Sequence, residues 1–193
     1  MLYTLGFLWI FTIGGLTGLP LATLATDVHF HDTYFVVAHF HYVMMGGVLF
    51  ALITAIHHWW PKMTGKMFNE KAAKSVFWLA FFSYNMTFIP QFVMGAQGMP
   101  RRYHEYLPQY EIWHKMSSYS SFIFGFSLFL VLLYLLHSMF KGEKAPANPW
   151  GGVSLEWEAA TPPIEHNFEG QPICTRGPYD FDEIEVNPNA AAH

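Results

Sequence analysis

The chain has 193 residues, of which 52% are hydrophobic, 19% aromatic and only 12% charged. Such a low charged fraction, with a positive mean hydropathy, is typical of a membrane protein, and nothing in the composition or the net charge of -4 indicates nucleic-acid binding. The single cysteine, Cys174, excludes an internal disulfide framework and a metal site built from several cysteines.

Four apolar segments follow one another along the chain and predict an all-α, polytopic membrane helical bundle. The first runs from residue 1 to about residue 26, and Gly14, Gly15, Gly18 and Pro20 predict that its second half breaks, leaving a partial span. A spanning helix needs about 20 consecutive apolar residues. Three further uncharged segments reach that length and predict full spans, at residues 34–60, 75–99 and 116–140.

The amino-acid composition of the chain changes after the fourth segment. Residues 1–140 are predicted as the transmembrane region, and residues 141–193, which are acidic and rich in proline and glycine, as a loop-rich tail. Trp150 and Trp157 are candidates to anchor this tail. Lysines fill the connection between the second and third spans and follow the fourth, which places the tail on the cytoplasm- or matrix-like side of the membrane.

The motif His39-Phe40-His41 lies inside the second predicted span, where ionisable side chains are costly and usually functional. Neutral histidine is a common ligand for metals and haem iron. Positions i and i+2 of an α-helix lie about 200° apart around the axis and about 3 Å apart along it. The two imidazoles therefore cannot chelate one ion together. The pattern favours one cofactor on each face, most naturally two haems; the alternative is hydrogen-bonded packing.

Arg101 and Arg102 lie next to the end of the third predicted span, on the side opposite the lysines. Arginine binds carboxylates through paired hydrogen bonds, so haem propionates at this end of two haems would suit the pair. The alternative is an ordinary interfacial pair balanced by Glu105 and Glu111.

Several stretches resemble subunit I of the haem–copper oxidase family, in the family's own order. Residues 28–43, VHFHDTYFVVAHFHYV, resemble its tenth-helix signature, and GMPRRY at residues 98–103 is similar to the stretch after its eleventh helix. WGG at residues 150–152, LEW at 155–157 and PP at 162–163 are similar to its C-terminal tail. The resemblance implies the aa3-type cytochrome c oxidases of the respiratory chain, oxidoreductases that reduce oxygen to water and pump protons.

The resemblance also implies roles for individual residues. It assigns His39 to the iron of haem a3, where oxygen binds, and His41 to the iron of haem a, with Phe40 between the two haems. It places Asp27 near the haem a3 propionates and gives Arg101 and Arg102 the binding of propionates.

The same resemblance implies an interface Mg²⁺ site at His31 and Asp32, with a further ligand from subunit II. From the residues alone, the alternative for Asp32 is a helix cap just before the second span. His29 stands where the family usually has an apolar residue, and Met45 where it often has a small polar one.

In the family, the copper ligands and the second axial ligand of haem a precede the region resembled here. We therefore expect this chain to be about the last third of a subunit I, with copper bound by residues outside it. The implied partners are the N-terminal part of subunit I, subunits II and III, cytochrome c as donor and the lipid membrane. The implied location is the bacterial plasma membrane, or alternatively the mitochondrial inner membrane, as a multi-pass protein.

A chain that lacks the early helices should have span faces that pack on protein instead of lipid. Candidate residues for such faces are Phe81, Phe82, Ser120, Ser121 and Gly125. The alternative function is a stand-alone membrane protein that binds haem for electron transfer without oxygen chemistry.

Overall fold

The computed structural model describes residues 1–172 and residue 177, and within them the regular structure is helical, with no β-strand. This confirms the all-α prediction. The α-helices are α1 (Leu2–Ala22), α2 (Leu24–Phe30), α3 (Tyr34–Phe40), α4 (Gly47–Thr64), α5 (Glu70–Ala96), α6 (Glu111–Lys141) and α7 (Leu155–Glu158). A π-helical segment, His41–Gly46, joins α3 to α4, and a short 3-10 turn, Pro108–Tyr110, precedes α6.

The predicted break in the second half of the first segment is wrong. Helix α1 continues through Gly14, Gly15 and Pro20, and the chain leaves the helical conformation only at Thr23, with φ -96° and ψ 115°. In an apolar environment every freed backbone group is costly, which favours a continuous helix despite these residues. Four helices in the described residues are therefore long and apolar enough to cross a membrane, where the sequence predicted three and a partial one.

The second span is continuous from Tyr34 to Thr64 but changes its winding in the middle. Its first turns, α3, end at Phe40, and the π-helical segment begins at His41. Such segments are rare and occur frequently at functional sites. The composition of the span did not predict it.

The chain divides into two compact units, of which the first comprises Met1–Ala55 and Glu70–Leu133. Its core is aromatic: Tyr42, Phe50 and Tyr84 are fully buried, together with Ile10 of α1. Tyr84 contacts Phe50 and Tyr42 edge-on, with ring centroids 5.7 and 5.6 Å apart. Ser120 is also buried here, so it does not belong to the exposed face proposed for it.

Polar groups near Pro90 bond to neighbouring helices. The Ser117 hydroxyl of α6 donates to the Thr87 carbonyl of α5 at 2.7 Å, and the Gln91 amide donates to Ser117 Oγ at 3.1 Å. The Tyr42 hydroxyl donates to Asn85 Oδ1 at 2.8 Å. These groups thus join the helices of the first unit.

The second unit comprises Ile56–Asn69 and the described residues from Tyr134 onward. Here the Trp150 indole donates to the His58 carbonyl at 2.8 Å, and Trp157 is buried. The Lys62 ammonium donates to the Ala159 carbonyl at 2.6 Å and lies 5.5 Å from the centre of the Trp157 ring. The two tryptophans therefore anchor the start of the tail, as expected. Cys174 lies outside the described residues.

Candidate functional site

The His39 imidazole is held against α1. Its Nδ1 atom lies 2.9 Å from the Gly14 carbonyl and 3.3 Å from the Thr17 hydroxyl. Thr17 itself donates to carbonyls of its own helix, at Ile13 and Gly14. The Gly14 carbonyl is therefore the main anchor of this ring.

Two glycines of α1 allow this approach. A methyl group at Gly14 would lie 2.9 Å from the Val43 backbone nitrogen, and one at Gly18 would lie 2.9 Å from Cε1 of His39. Glycines four residues apart on one helix face allow backbones to pack closely in membranes. The glycines therefore serve close packing and do not break the helix as their sequence pattern predicts.

The His41 imidazole is held by its own helix and by α5. Its Nδ1 atom lies 2.7 Å from the Val37 carbonyl, one turn earlier. The ring is stacked between Phe40 and Phe88, with both centroid distances 4.5 Å and interplanar angles of 28° and 21°. The Tyr84 hydroxyl donates to the His41 carbonyl at 2.6 Å.

These contacts fix the chemistry available to both rings. A carbonyl oxygen only accepts hydrogen bonds, so in the neutral imidazoles Nδ1 carries the proton and Nε2 carries the lone pair. Within the described residues, neither His39 nor His41 has a hydrogen bond at Nε2. Histidines that bind metals commonly donate their other N–H to a backbone carbonyl in this way. Both rings therefore fit axial ligation of a haem iron.

The two rings are directed to different neighbours. His39 contacts α1, whereas His41 contacts Phe88 of α5. The two potential ligands thus have different neighbouring helices, as expected if they leave different faces of their own helix. Phe40 stacks on His41, and its position relative to a haem stays a prediction.

Arg101 is paired with Asp32 at the opposite end of α5 from the lysines. A short antiparallel bridge joins Thr33 to Pro100, with the Arg101 N–H donating to the Asp32 carbonyl at 2.9 Å. This register brings the Arg101 Nε and Nη2 atoms to 2.7 Å from one carboxylate oxygen, Oδ1 of Asp32. The alternative partners named above, Glu105 and Glu111, do not make this contact.

His31 and Asp32 are adjacent in space as well as in sequence. The His31 Nε2 atom lies 3.3 Å from Asp32 Oδ2, and both side chains are exposed. Asp32 has φ 54°, a left-handed conformation that aspartate tolerates better than most residues. The cap of α3 is Thr33, whose hydroxyl accepts from the Phe35 N–H at 3.2 Å, so the helix-cap alternative for Asp32 is wrong.

The remaining predicted residues lie nearby without an ion pair in the described part of the chain. Asp27 is half-buried in α2, and Arg102 is exposed, with φ 69°. No group of three or more His, Cys, Asp or Glu side chains among the described residues is placed to hold a metal ion. A Mg²⁺ site at His31 and Asp32 would therefore need ligands from outside them.

Sequence reasoning missed three contributors to the site. Gly14 acts through its carbonyl, Phe88 through its ring, and Tyr84 through its hydroxyl. Only Gly14 belonged to a recognisable pattern, because aromatic residues in an apolar span are most often packing residues.

A family model described as "Cytochrome C and Quinol oxidase polypeptide I" matches residues 1–129. Among curated proteins, the chain is 46% identical over 181 residues to "Cytochrome c oxidase subunit 1" of Synechocystis sp., covering 94% of this chain and 33% of that protein. It is 47% identical over 193 residues to "Probable cytochrome c oxidase subunit 1-alpha" of Streptomyces avermitilis, covering 96% of this chain and 33% of that one. The chain thus spans about a third of the length of these relatives.

A chain of a heme-copper terminal oxidase dimer, solved by cryo-EM, has a similar fold. The TM-score is 0.64 at 21% identity, and the match covers 73% of this chain and 26% of that one. This likeness supports the fold alone. The family-model match over residues 1–129 identifies the chain as a member of the cytochrome c and quinol oxidase polypeptide I family.

Proposed function

We propose that this chain is the C-terminal part of the catalytic subunit of a cytochrome c oxidase. In this proposal His39 binds the iron of haem a3 and His41 the iron of haem a. The observation that carries it is the pair of imidazoles with different neighbours, His39 against α1 and His41 against Phe88 of α5, each with Nδ1 against a backbone carbonyl and Nε2 left to bind iron. The close relatives support the same function.

When bound, the two haems would supply electron transfer and, together with a copper held outside this chain, the reduction of oxygen to water. The chain's own contribution is to fix the two ligands. The Gly14 and Val37 carbonyls hold the Nδ1 protons and so orient both rings. Phe40 and Phe88 exclude water from the faces of His41.

The ends of the site have their own roles in the proposal. His31 and Asp32 contribute two ligands to a Mg²⁺ shared with subunit II, since carboxylate oxygens suit that ion. Arg101 and Arg102 bind haem propionates, with Asp27 close by. Arg101 would then divide its N–H donors between Asp32 and a propionate, which its five donors permit.

The proposed assembly contains the N-terminal part of subunit I, subunits II and III, and cytochrome c as electron donor. It couples oxygen reduction to proton pumping in the bacterial plasma membrane, with residues 141–193 on the cytoplasmic side. Affinity purification through this chain should recover a partner that carries the early helices. Purification of a haem-loaded chain without such a partner would favour the stand-alone electron-transfer alternative.

The direct test replaces each histidine by alanine in the assembled enzyme. His39→Ala should abolish oxygen consumption and the high-spin haem signal while the low-spin haem remains. His41→Ala should remove the low-spin haem spectrum and stop electron delivery. A His41 variant with an intact bis-histidine spectrum would contradict the assignment, and so would oxygen reduction by the purified 193-residue chain alone.

A further inference from the structure

We propose that Tyr84 is a positioning residue for His41 and sets the redox potential of the haem that His41 holds. This rests on the proposed function, because it takes His41 as a haem ligand. Tyr84 is fully buried in α5, and its hydroxyl donates to the carbonyl of His41 itself at 2.6 Å.

The bond falls where the helix changes its winding. His41 is the first residue of the π-helical segment, in which N–H groups bond to carbonyls five residues back instead of four. A side chain that inserts into the helical hydrogen-bond ladder is a recognised cause of helix kinks, and so is a π-bulge itself. The Tyr84 hydroxyl supplies a donor to the carbonyl at the start of the altered ladder.

Gly46, the last residue of the π-helical segment, provides the space for this hydroxyl. A methyl group at Gly46 would lie 2.8 Å from the Tyr84 oxygen and would collide with Ile10. The small residue and the tyrosine therefore fit each other across the two helices.

Tyr84 also supports the His41 imidazole indirectly, through Phe88. Its ring contacts Phe88 with centroids 4.8 Å apart, and Phe88 stacks on the His41 ring. Tyr84 thus restrains both the backbone and the ring of His41. His39 is restrained from α1 instead, so a change at Tyr84 should act on one ligand and not the other.

Loss of the hydroxyl would leave the His41 carbonyl without this donor and let the π-helical segment relax. The Nδ1 contact of His41 with Val37 would change with it. Because the hydrogen bond at Nδ1 tunes the basicity of a histidine ligand, the potential of its iron would shift.

The experiment uses Tyr84→Phe in the complete oxidase, which keeps the ring and removes the oxygen. Tyr110→Phe is the matched control, since this buried tyrosine also donates to a backbone carbonyl, that of Gln97, at 2.9 Å. Redox titration of both haems and electron paramagnetic resonance of the low-spin haem are the readouts. We expect Tyr84→Phe to change the equilibrium constant for electron exchange between the haems at least twofold, about 18 mV at 59 mV per tenfold.

The haem bound to His41 should change its potential and its g-values, while the potential of the haem bound to His39 stays as in the parent enzyme. The Tyr110 variant should keep the parent potentials of both haems. Unchanged potentials, or equal shifts in both haems, would overturn the proposal. If the oxidase carrying Tyr84→Phe fails to assemble, incorporation of difluorotyrosine at position 84 provides the second test. It keeps the hydroxyl and makes it a stronger donor, so an altered potential of the His41 haem alone supports the proposal and an unaltered one overturns it.

The His41→Ala variant separates this proposal from the proposed function. If that variant kept the low-spin haem, the ligand assignment itself would be wrong, whatever Tyr84→Phe did. If it lost the haem and Tyr84→Phe left both potentials unchanged, only the role of Tyr84 would be overturned.

Discussion

At the scale of single residues, backbone carbonyls orient both imidazoles of the site. Gly14 holds Nδ1 of His39 at 2.9 Å, and Val37 holds Nδ1 of His41 at 2.7 Å. The motif His39-Phe40-His41 predicted two ligands on different sides of one helix, because that follows from helical geometry alone. It could not predict the partner of the His39 ring, since Gly14 lies 25 residues away in the sequence.

Gly18 tests how closely α1 must approach His39. A methyl group there would lie 2.9 Å from Cε1 of the ring, and overpacking of this kind costs about 1–3 kcal/mol. Gly18→Ala should therefore lower the content of the haem bound to His39, measured by pyridine haemochrome and optical spectra. Gly15→Ala is the control, because a methyl group there meets nothing within 4 Å in this chain. Equal haem content in the Gly18 variant and the parent would contradict the account.

Asp32 tests the proposed metal site. Asp32→Asn keeps the size of the side chain and removes its charge, so the assembled enzyme should lose bound Mg²⁺. Manganese grown into the enzyme should then no longer give a bound electron paramagnetic resonance signal. Glu105→Gln, an exposed change on the same loop as Arg101, should leave that signal intact. A retained manganese signal in the Asp32 variant would show that the carboxylate charge is not needed for the site, contrary to the prediction.

At the scale of helices, polar side chains link the spans. Asn85, Thr87 and Gln91 are polar residues close to Pro90 in α5. In the structure Gln91 and the Thr87 carbonyl both meet Ser117 of α6. Tyr42 and Asn85 add a bond between the second span and α5.

Substitution of Ser117 tests how much these interhelical hydrogen bonds stabilise the protein, with Ser118 as the control position. Ser117→Ala removes a donor to Thr87 and an acceptor for Gln91, and interhelical hydrogen bonds in membranes contribute about 0.6 kcal/mol, up to about 1.7 kcal/mol. The free energy of unfolding should fall by that amount. Ser118→Ala, its exposed neighbour, should leave it unchanged. Equilibrium unfolding in mild detergent measures the difference, and two equal stabilities would show that the bonds add nothing.

At the scale of the whole molecule, hydropathy predicted the helical class and the approximate spans, because length and apolar character suffice for that. The predicted break in α1 was wrong, since the glycines serve close packing against the His39 helix instead. The π-helical segment and the proposed role of Tyr84 depend on contacts between residues far apart in the sequence. Local sequence patterns cannot predict such contacts.

The start of the tail is held to its unit through Lys62. This side chain is buried, and its ammonium donates to the Ala159 carbonyl and to Thr161 Oγ1, at 2.6 and 3.2 Å. Hydrogen bonds to charged groups contribute about 1.5–3 kcal/mol. Lys62→Met should therefore speed hydrogen exchange of the amides in α7 by roughly tenfold or more, since 1.4 kcal/mol is tenfold.

Lys71→Ala is the control for the tail, because this lysine is exposed at the start of α5. In the Lys71 variant, the amide hydrogens of α7 should exchange at the same rates as in the parent. Identical exchange in the Lys62 variant would show that other contacts, such as that of Trp150 with the His58 carbonyl, hold the tail by themselves.

We propose that His39 and His41 hold two different haems on opposite sides of one helix. A cryo-EM structure of the oxidase purified through this chain tests it most directly. We expect two irons, each about 2.0–2.1 Å from Nε2 of a different histidine of the pair, by analogy with other imidazole–metal bonds. Either imidazole without an iron, or both on the same iron, would contradict it.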